Sequence, residues 1–153
     1  MERTIGFRER RLIEELRIFT RATAVDCIID ERFDRVIYII KPGDMGLAIG
    51  RKGESINRLS RQLGRRLEMV EYAETPEALV ANTIRPAELA ALRPSADGAS
   101  IDLVIRRGAD LGIVIGRGGG TIEKVRILCR RLFDLTINDV LVAAPGGEEG
   151  VPA

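Results

Sequence analysis

The sequence predicts an α+β fold made of two tandem units. Each unit has the element order α-β-β-α-α-β and a three-stranded sheet covered by helices. Three observations carry this expectation. Shifted by 66 residues, positions 44–56 lie over positions 110–122 with seven of 13 residues identical, which is the signature of a repeated structural unit. The hydrophobic period alternates between the helical and the strand value in the same order in both halves. The 153 residues then divide into pieces of about 70, near the lower size limit for an independently stable domain. The expected boundaries are 1–73 for the first unit, 74–143 for the second and 144–153 for a disordered tail.

The elements follow in chain order. Residues 7–21 form an amphipathic helix, because Leu12, Ile13, Leu16 and Phe19 recur at helical spacing. Residues 25–30 and 35–41 are rich in β-branched side chains and are separated by the polar stretch 31–34, so they read as two strands joined by a turn. A short helix spans 44–49, with Asp44 as its N-cap. A second helix spans 55–66, with Ile56, Leu59, Leu63 and Leu67 on one face. Residues 67–72 form the third strand.

The second unit opens with Thr75 as N-cap and Pro76 at the first helical position of a helix to about residue 83. Strands are expected at 88–92 and 100–106, with a turn at 94–98 between them. A short helix from Asp110, a helix over 121–133 and a strand over 135–143 complete the unit. The Gly-, Pro- and Glu-rich residues 144–153 suit a disordered tail.

Composition removes several kinds of chemistry. The chain has no His, which takes away the commonest general base and transition-metal ligand. Cys27 and Cys129 form no Cys-x-x-Cys pair and sit on apolar faces, so they read as buried thiols. No metal and no cofactor are expected. No apolar run approaches the roughly 18 residues of a membrane span, and the start carries no signal-peptide pattern, so a cytoplasmic protein with no membrane partner is expected. Aromatics amount to 4%, too few for a sheet that stacks bases on exposed rings.

The repeated segment centres on the string I-G-x-x-G-x-x-I. In the first unit it begins Ile49-Gly50-Arg51-Lys52-Gly53, and in the second Ile115-Gly116-Arg117-Gly118-Gly119. Two glycines between helices allow a sharp reversal and a surface bare of side chains. A phosphate backbone can approach such a surface, and the N-terminus of the following helix adds a partial positive charge. Arg51, Lys52 and Arg117 add formal charge. The plain alternative is a pair of glycines that merely closes a helix pair; duplication with basic residues in the same loop argues for more. A dinucleotide-binding loop requires G-x-G-x-x-G directly after a strand, and a P-loop requires G-x-x-x-x-G-K-[ST]; neither string occurs.

The doubled I-G-x-x-G-x-x-I string in an α-β-β-α-α-β unit resembles the KH domain in its type II arrangement. The tandem pair, with residues 42–50, the segment 70–72 and the segment 82–87, resembles the NusA family of transcription factors in its archaeal form, over about residues 5–143. The resemblance implies a protein that binds single-stranded RNA, each G-x-x-G loop clamping four backbone nucleotides, and that acts in transcription termination or antitermination. The polymerase-binding domain and oligonucleotide-binding barrel of the bacterial relatives find no room in 153 residues. RNA is thus the first expected partner, with RNA polymerase or other transcription machinery the second. Gly118 stands where the family commonly carries a basic or polar residue, which predicts a weaker second clamp.

Charge taken whole, +1, argues against a nucleic-acid binder. By segment it does not. Residues 41–66 hold seven basic and two acidic side chains, as do residues 106–131, whereas 67–105 and 132–153 are acidic. Each basic block coincides with a glycine-rich loop. Helical spacing places Arg58, Arg61 and Arg65 away from the apolar face, and Lys124, Arg130 and Arg131 similarly in the second unit. Residues 47–49 and 113–115 are candidates for an apolar floor under the bases. The expected RNA-binding set is therefore Ile49, Gly50, Arg51, Lys52, Gly53, Arg58, Ile115, Gly116, Arg117, Gly118, Gly119 and Lys124. No catalytic residue and no small-molecule substrate are expected. The alternatives are a protein-binding module that keeps the KH fold, an RNA-processing or ribosome-assembly role, and an enzyme acting on nucleotides.

Overall fold

The computed structural model describes residues 4–144 and 150–152. The chain divides into two compact units, residues 2–73 and 74–153. The first contains α1 (Phe7–Thr20), β1 (Ala24–Asp30), β2 (Arg35–Ile40), α2 (Met45–Ile49), α3 (Glu54–Leu63) and β3 (Arg66–Glu71). Its sheet has the order β1-β2-β3. A tight turn joins β1 to its antiparallel neighbour β2, while β3 lies parallel to β2. A parallel neighbour requires a crossover, and α2 with α3 supplies it. The glycine-rich loop is thus the midpoint of the crossover.

The helices of this unit cover a core of Leu16, Val36, Tyr38, Ile40, Ala48 and Leu59, each fully buried. Helix α1 ends where Arg21 turns left-handed at φ 66° and donates its N–H to the Arg17 carbonyl. The Tyr38 hydroxyl donates to the Leu12 carbonyl at 2.7 Å, tying α1 to the sheet. Burial pushes that hydroxyl well above the usual phenol range. At the opposite end of β2, the 2%-exposed Arg35 joins all three strands. Its Nε lies 2.7 Å from Asp30 of β1, its Nη1 reaches both carboxylate oxygens of Glu68 of β3 at 3.3 Å, and its guanidinium sits 4.9 Å from the Phe33 ring.

The second unit contains α4 (Pro76–Ile84), β4 (Leu89–Pro94), β5 (Ile101–Ile105), α5 (Leu111–Ile115), α6 (Gly120–Phe133), β6 (Ile137–Ala143) and β7 (Gly150–Pro152). Its first three strands repeat the antiparallel-then-parallel pairing. Thr75 caps α4, its hydroxyl accepting the Ala78 N–H at 3.2 Å, and Pro76 opens the helix. Leu103, Ile105, Val114, Val125 and Cys129 form the core. Cys27 and Cys129 are both buried and free, and burial pushes the Cys129 thiol up to about 12.

Four expectations need correction. Residues 144–153 are not wholly a disordered tail: β7 pairs antiparallel with β6, from Leu141↔Pro152 to Ala143↔Gly150. The outer edge of β6 presents unpaired backbone donors and acceptors, which a short segment pairs with through its own backbone. Residues 145–149 and 153 lie outside the described residues. Asp44 holds the N-cap position of α2, but its side chain makes no capping hydrogen bond. Its carboxylate instead accepts the Thr23 N–H at 2.9 Å, fastening the start of α2 to the link between α1 and β1. Helix α3 stops at Leu63 because Gly64 turns left-handed at φ 64°, so Arg65 lies beyond the helix. Strand β6 starts two residues late, because Asp134 at φ 54° and Leu135 close their N–H groups on the carbonyls of Arg130 and Cys129.

Candidate nucleic-acid interface

The two loops adopt one backbone conformation. Gly50 has φ 78° and ψ 173°, and Gly116 has φ 76° and ψ 170°. Each donates its N–H to the glycine four residues earlier, Gly46 or Gly112, at 2.9 Å. A 3-10 turn follows, Arg51–Gly53 or Arg117–Gly119, with its third residue bonded back to the first glycine at 3.2 and 3.1 Å. The middle positions, Lys52 and Gly118, are both left-handed, at φ 55° and 62°.

The two glycines of each loop serve different ends. A Cβ on Gly50 would meet the Ser55 backbone nitrogen at 2.8 Å, and one on Gly116 would meet that of Thr121 at 2.6 Å. The first glycine therefore permits close approach of the loop to the next helix. Gly53 and Gly119 meet nothing closer than 3.5 Å and are required only for their left-handed turn, at φ 75° and 83°. Gly118 has its own reason: it removes the roughly 1–2 kcal/mol that a side chain in the left-handed region costs, a cost Lys52 bears. The second loop gives up a charge for an unstrained turn.

These turns deliver α3 and α6 with glycine N-caps and no capping side chain. Around them Arg51, Lys52, Arg117 and Gly118 are exposed, while Ile49, Gly50, Gly53, Ile115, Gly116 and Gly119 are half-buried. Among the described residues, Arg51, Lys52 and Arg117 make no ion pair. The sequence left open which apolar residues face outward. Ala48 and Val114 are fully buried, whereas Leu47 and Ile113 are 50% and 41% exposed, at equivalent positions of α2 and α5. Each loop thus has one bare aliphatic side chain on the helix leading into it.

The outlying cations divide. Arg58 and Arg61 are exposed on α3 and, among the described residues, make no ion pair. Arg65 is half-buried beside Arg8, Arg11 and Glu15 of α1, away from the expected face. Lys124 is half-buried and engaged. Arg130 reaches Thr136 at 3.2 Å and Asp134 at 3.7 Å, which turns it toward the start of β6. Arg106, Arg107 and Arg126 pair with Glu88, Asp110 and Glu123 at 3.6, 3.2 and 3.9 Å. Equal block charges therefore conceal unequal free charge: among the described residues, the first unit keeps four unpaired cations at or near its loop, and the second keeps Arg117.

Among the described residues no group of three or more Cys, Asp or Glu gathers as a metal site, and no helix is long and apolar enough to cross a membrane.

A crossover of two helices joined by G-x-x-G, lying on a β1-β2-β3 sheet, defines a class of protein. The KH domain family matches residues 14–102, from α1 through the first unit and on into β5. The chain belongs to the KH domain family. Within it the chain is NusA-like. It is 38% identical over 124 residues to a Halococcus morrhuae protein named "Probable transcription termination protein NusA", covering 81% of this chain and 86% of that one. A Halobacterium salinarum protein of the same name is 38% identical over 126 residues, covering 82% and 89%. The crystal structure of APE1850 superposes with a TM-score of 0.78 at 31% identity, covering 90% of this chain and 99% of that chain.

Proposed function

We propose that this chain is a non-catalytic, single-stranded RNA-binding protein in which both units act as KH domains. Each clamps the RNA backbone through its glycine-rich loop, residues 50–53 and 116–119. The observation that carries this reading is the coincidence of three features in both units: one loop conformation, exposed unpaired cations in that loop, and an exposed Leu47 or Ile113 beside it. A bare backbone turn admits phosphates, the cations hold them, and the aliphatic side chain offers the bases an apolar contact. Two sites of about four nucleotides on one chain raise the effective concentration of the second contact.

The relatives named for transcription termination support a role in termination or antitermination, exerted in the cytoplasm on nascent RNA and the transcription machinery. No cofactor, metal or small-molecule substrate enters this mechanism. Salt dependence tests it. Engagement of about four phosphates gives a log–log slope of affinity on salt near −3 for single strands. Fluorescence anisotropy across a salt series measures that slope, and a flat response contradicts the reading.

A further inference from the structure

Beside the first loop, α1 and α3 border a shallow concavity lined by Phe19, Arg58, Arg61 and Gln62. Arg58, Arg61 and Gln62 stand three and four residues apart and so share one face of α3. Phe19 is half-buried, one side packed on the core of its unit. The link from α1 to β1 is held against the loop-bearing helix pair by the Thr23–Asp44 hydrogen bond of 2.9 Å. Along α3, Arg58 and Arg61 lie roughly 7 and 12 Å beyond Gly53 at the helical rise per residue. The concavity is therefore within reach of a strand leaving the loop.

The repeat shows that the fold does not require this set. A shift of 66 residues puts Lys124, Ile127 and the fully buried Leu128 at the places of Arg58, Arg61 and Gln62. Thr20 and Thr83 each donate a hydroxyl at 2.7 Å to the carbonyl four residues back, and this shared feature aligns α1 with α4. Asn82 then stands in the place of Phe19. Among the described residues, an aromatic side chain, two unpaired guanidiniums and an amide meet only in the first unit.

We propose that Phe19, Arg58, Arg61 and Gln62 form a nucleotide subsite that carries the RNA beyond the four nucleotides held at the first loop. The exposed side of the Phe19 ring takes a base by stacking. Arg58 and Arg61 take the adjoining phosphate, and the Gln62 amide, both donor and acceptor, meets the base edge. The subsite rests on the RNA-binding reading given above.

The test uses the full chain carrying Arg117→Asp and Gly118→Asp, which silences the second loop, with oligouridylates of four and eight nucleotides in anisotropy titrations. An octamer offers a four-nucleotide clamp about five registers, so statistics alone gives about fivefold tighter binding. One stacked base adds about tenfold, for a total near fiftyfold. Phe19→Leu and the surface change Arg61→Ala should each return the gain to about fivefold while tetramer affinity stays within about twofold. A gain unchanged in both variants, or an equal loss for tetramer and octamer, overturns the subsite alone. Failure of the unsubstituted chain to bind either RNA overturns the RNA-binding reading, and the subsite with it.

Discussion

Gly50→Ala destabilises the first unit by about 3 kcal/mol, whereas Gly53→Asn costs less than about 1 kcal/mol. The two glycines differ by three positions and by the whole of their environment. At φ 78° and ψ 173°, Gly50 occupies a region that residues with a Cβ scarcely enter. A Cβ there also meets the Ser55 side chain and backbone, and the backbone nitrogen at 2.8 Å has no rotamer by which to withdraw. Relief requires moving the start of α3, which carries the buried Leu59. Gly53, at φ 75° and ψ 15°, is in the left-handed region that Asn tolerates, and its nearest neighbour would be Asn57 at 3.5 Å. Urea unfolding followed by circular dichroism separates the two variants. Equal costs would mean that the glycines serve only to turn the chain.

Arg35→Met costs about 3–5 kcal/mol, the range for breaking a buried ion pair from one side. Asp30 is 6% exposed and would lose the guanidinium that partners its buried carboxylate. The same side chain closes β1, β2 and β3 at one end, through Asp30 at 2.7 Å and Glu68 at 3.3 Å, so its loss loosens the hairpin and the parallel pair together. Removing the charge from both sides, as in Asp30→Asn with Arg35→Met, should cost less than the sum of the single changes, because no buried carboxylate is orphaned. Additive losses in denaturant titrations would show that Arg35 contributes packing alone.

Arg35 also marks the limit of what the sequence discloses. Helical periodicity locates α1, α3 and α6 to within a few residues, since that pattern follows directly from which face is buried, and a β-branched run locates β2, all of whose residues are buried. The loops are legible because glycine has few substitutes at such turns and the motif occurs twice. Pairing is not legible. Residues 106–131 carry seven basic side chains, yet Arg106 and Arg130 are matched by Glu88 and Asp134, acids outside that segment. A tally along the chain counts both partners as free. Orientation near the loops is hidden for a similar reason. Leu47 and Ala48 are adjacent and both apolar, and only the packing of α2 on the sheet decides that Leu47 faces outward. The β7 pairing escapes because its strand is a backbone match to an open edge and needs no hydrophobic pattern.

The claim that the loops hold RNA is tested most directly by reversing their charge. Asp accepts the left-handed conformation required at positions 52 and 118, so Asp pairs at 51–52 and at 117–118 alter charge with little change in backbone. The account predicts that short unstructured RNA binds the parent chain in fluorescence anisotropy. Arg51→Asp with Lys52→Asp should lose at least about a hundredfold in affinity, two charge-assisted phosphate contacts becoming repulsive. Arg117→Asp with Gly118→Asp should lose less, since only one cation is reversed. Circular-dichroism spectra should stay unchanged throughout. RNA affinity that survives both pairs in a folded protein would contradict the account.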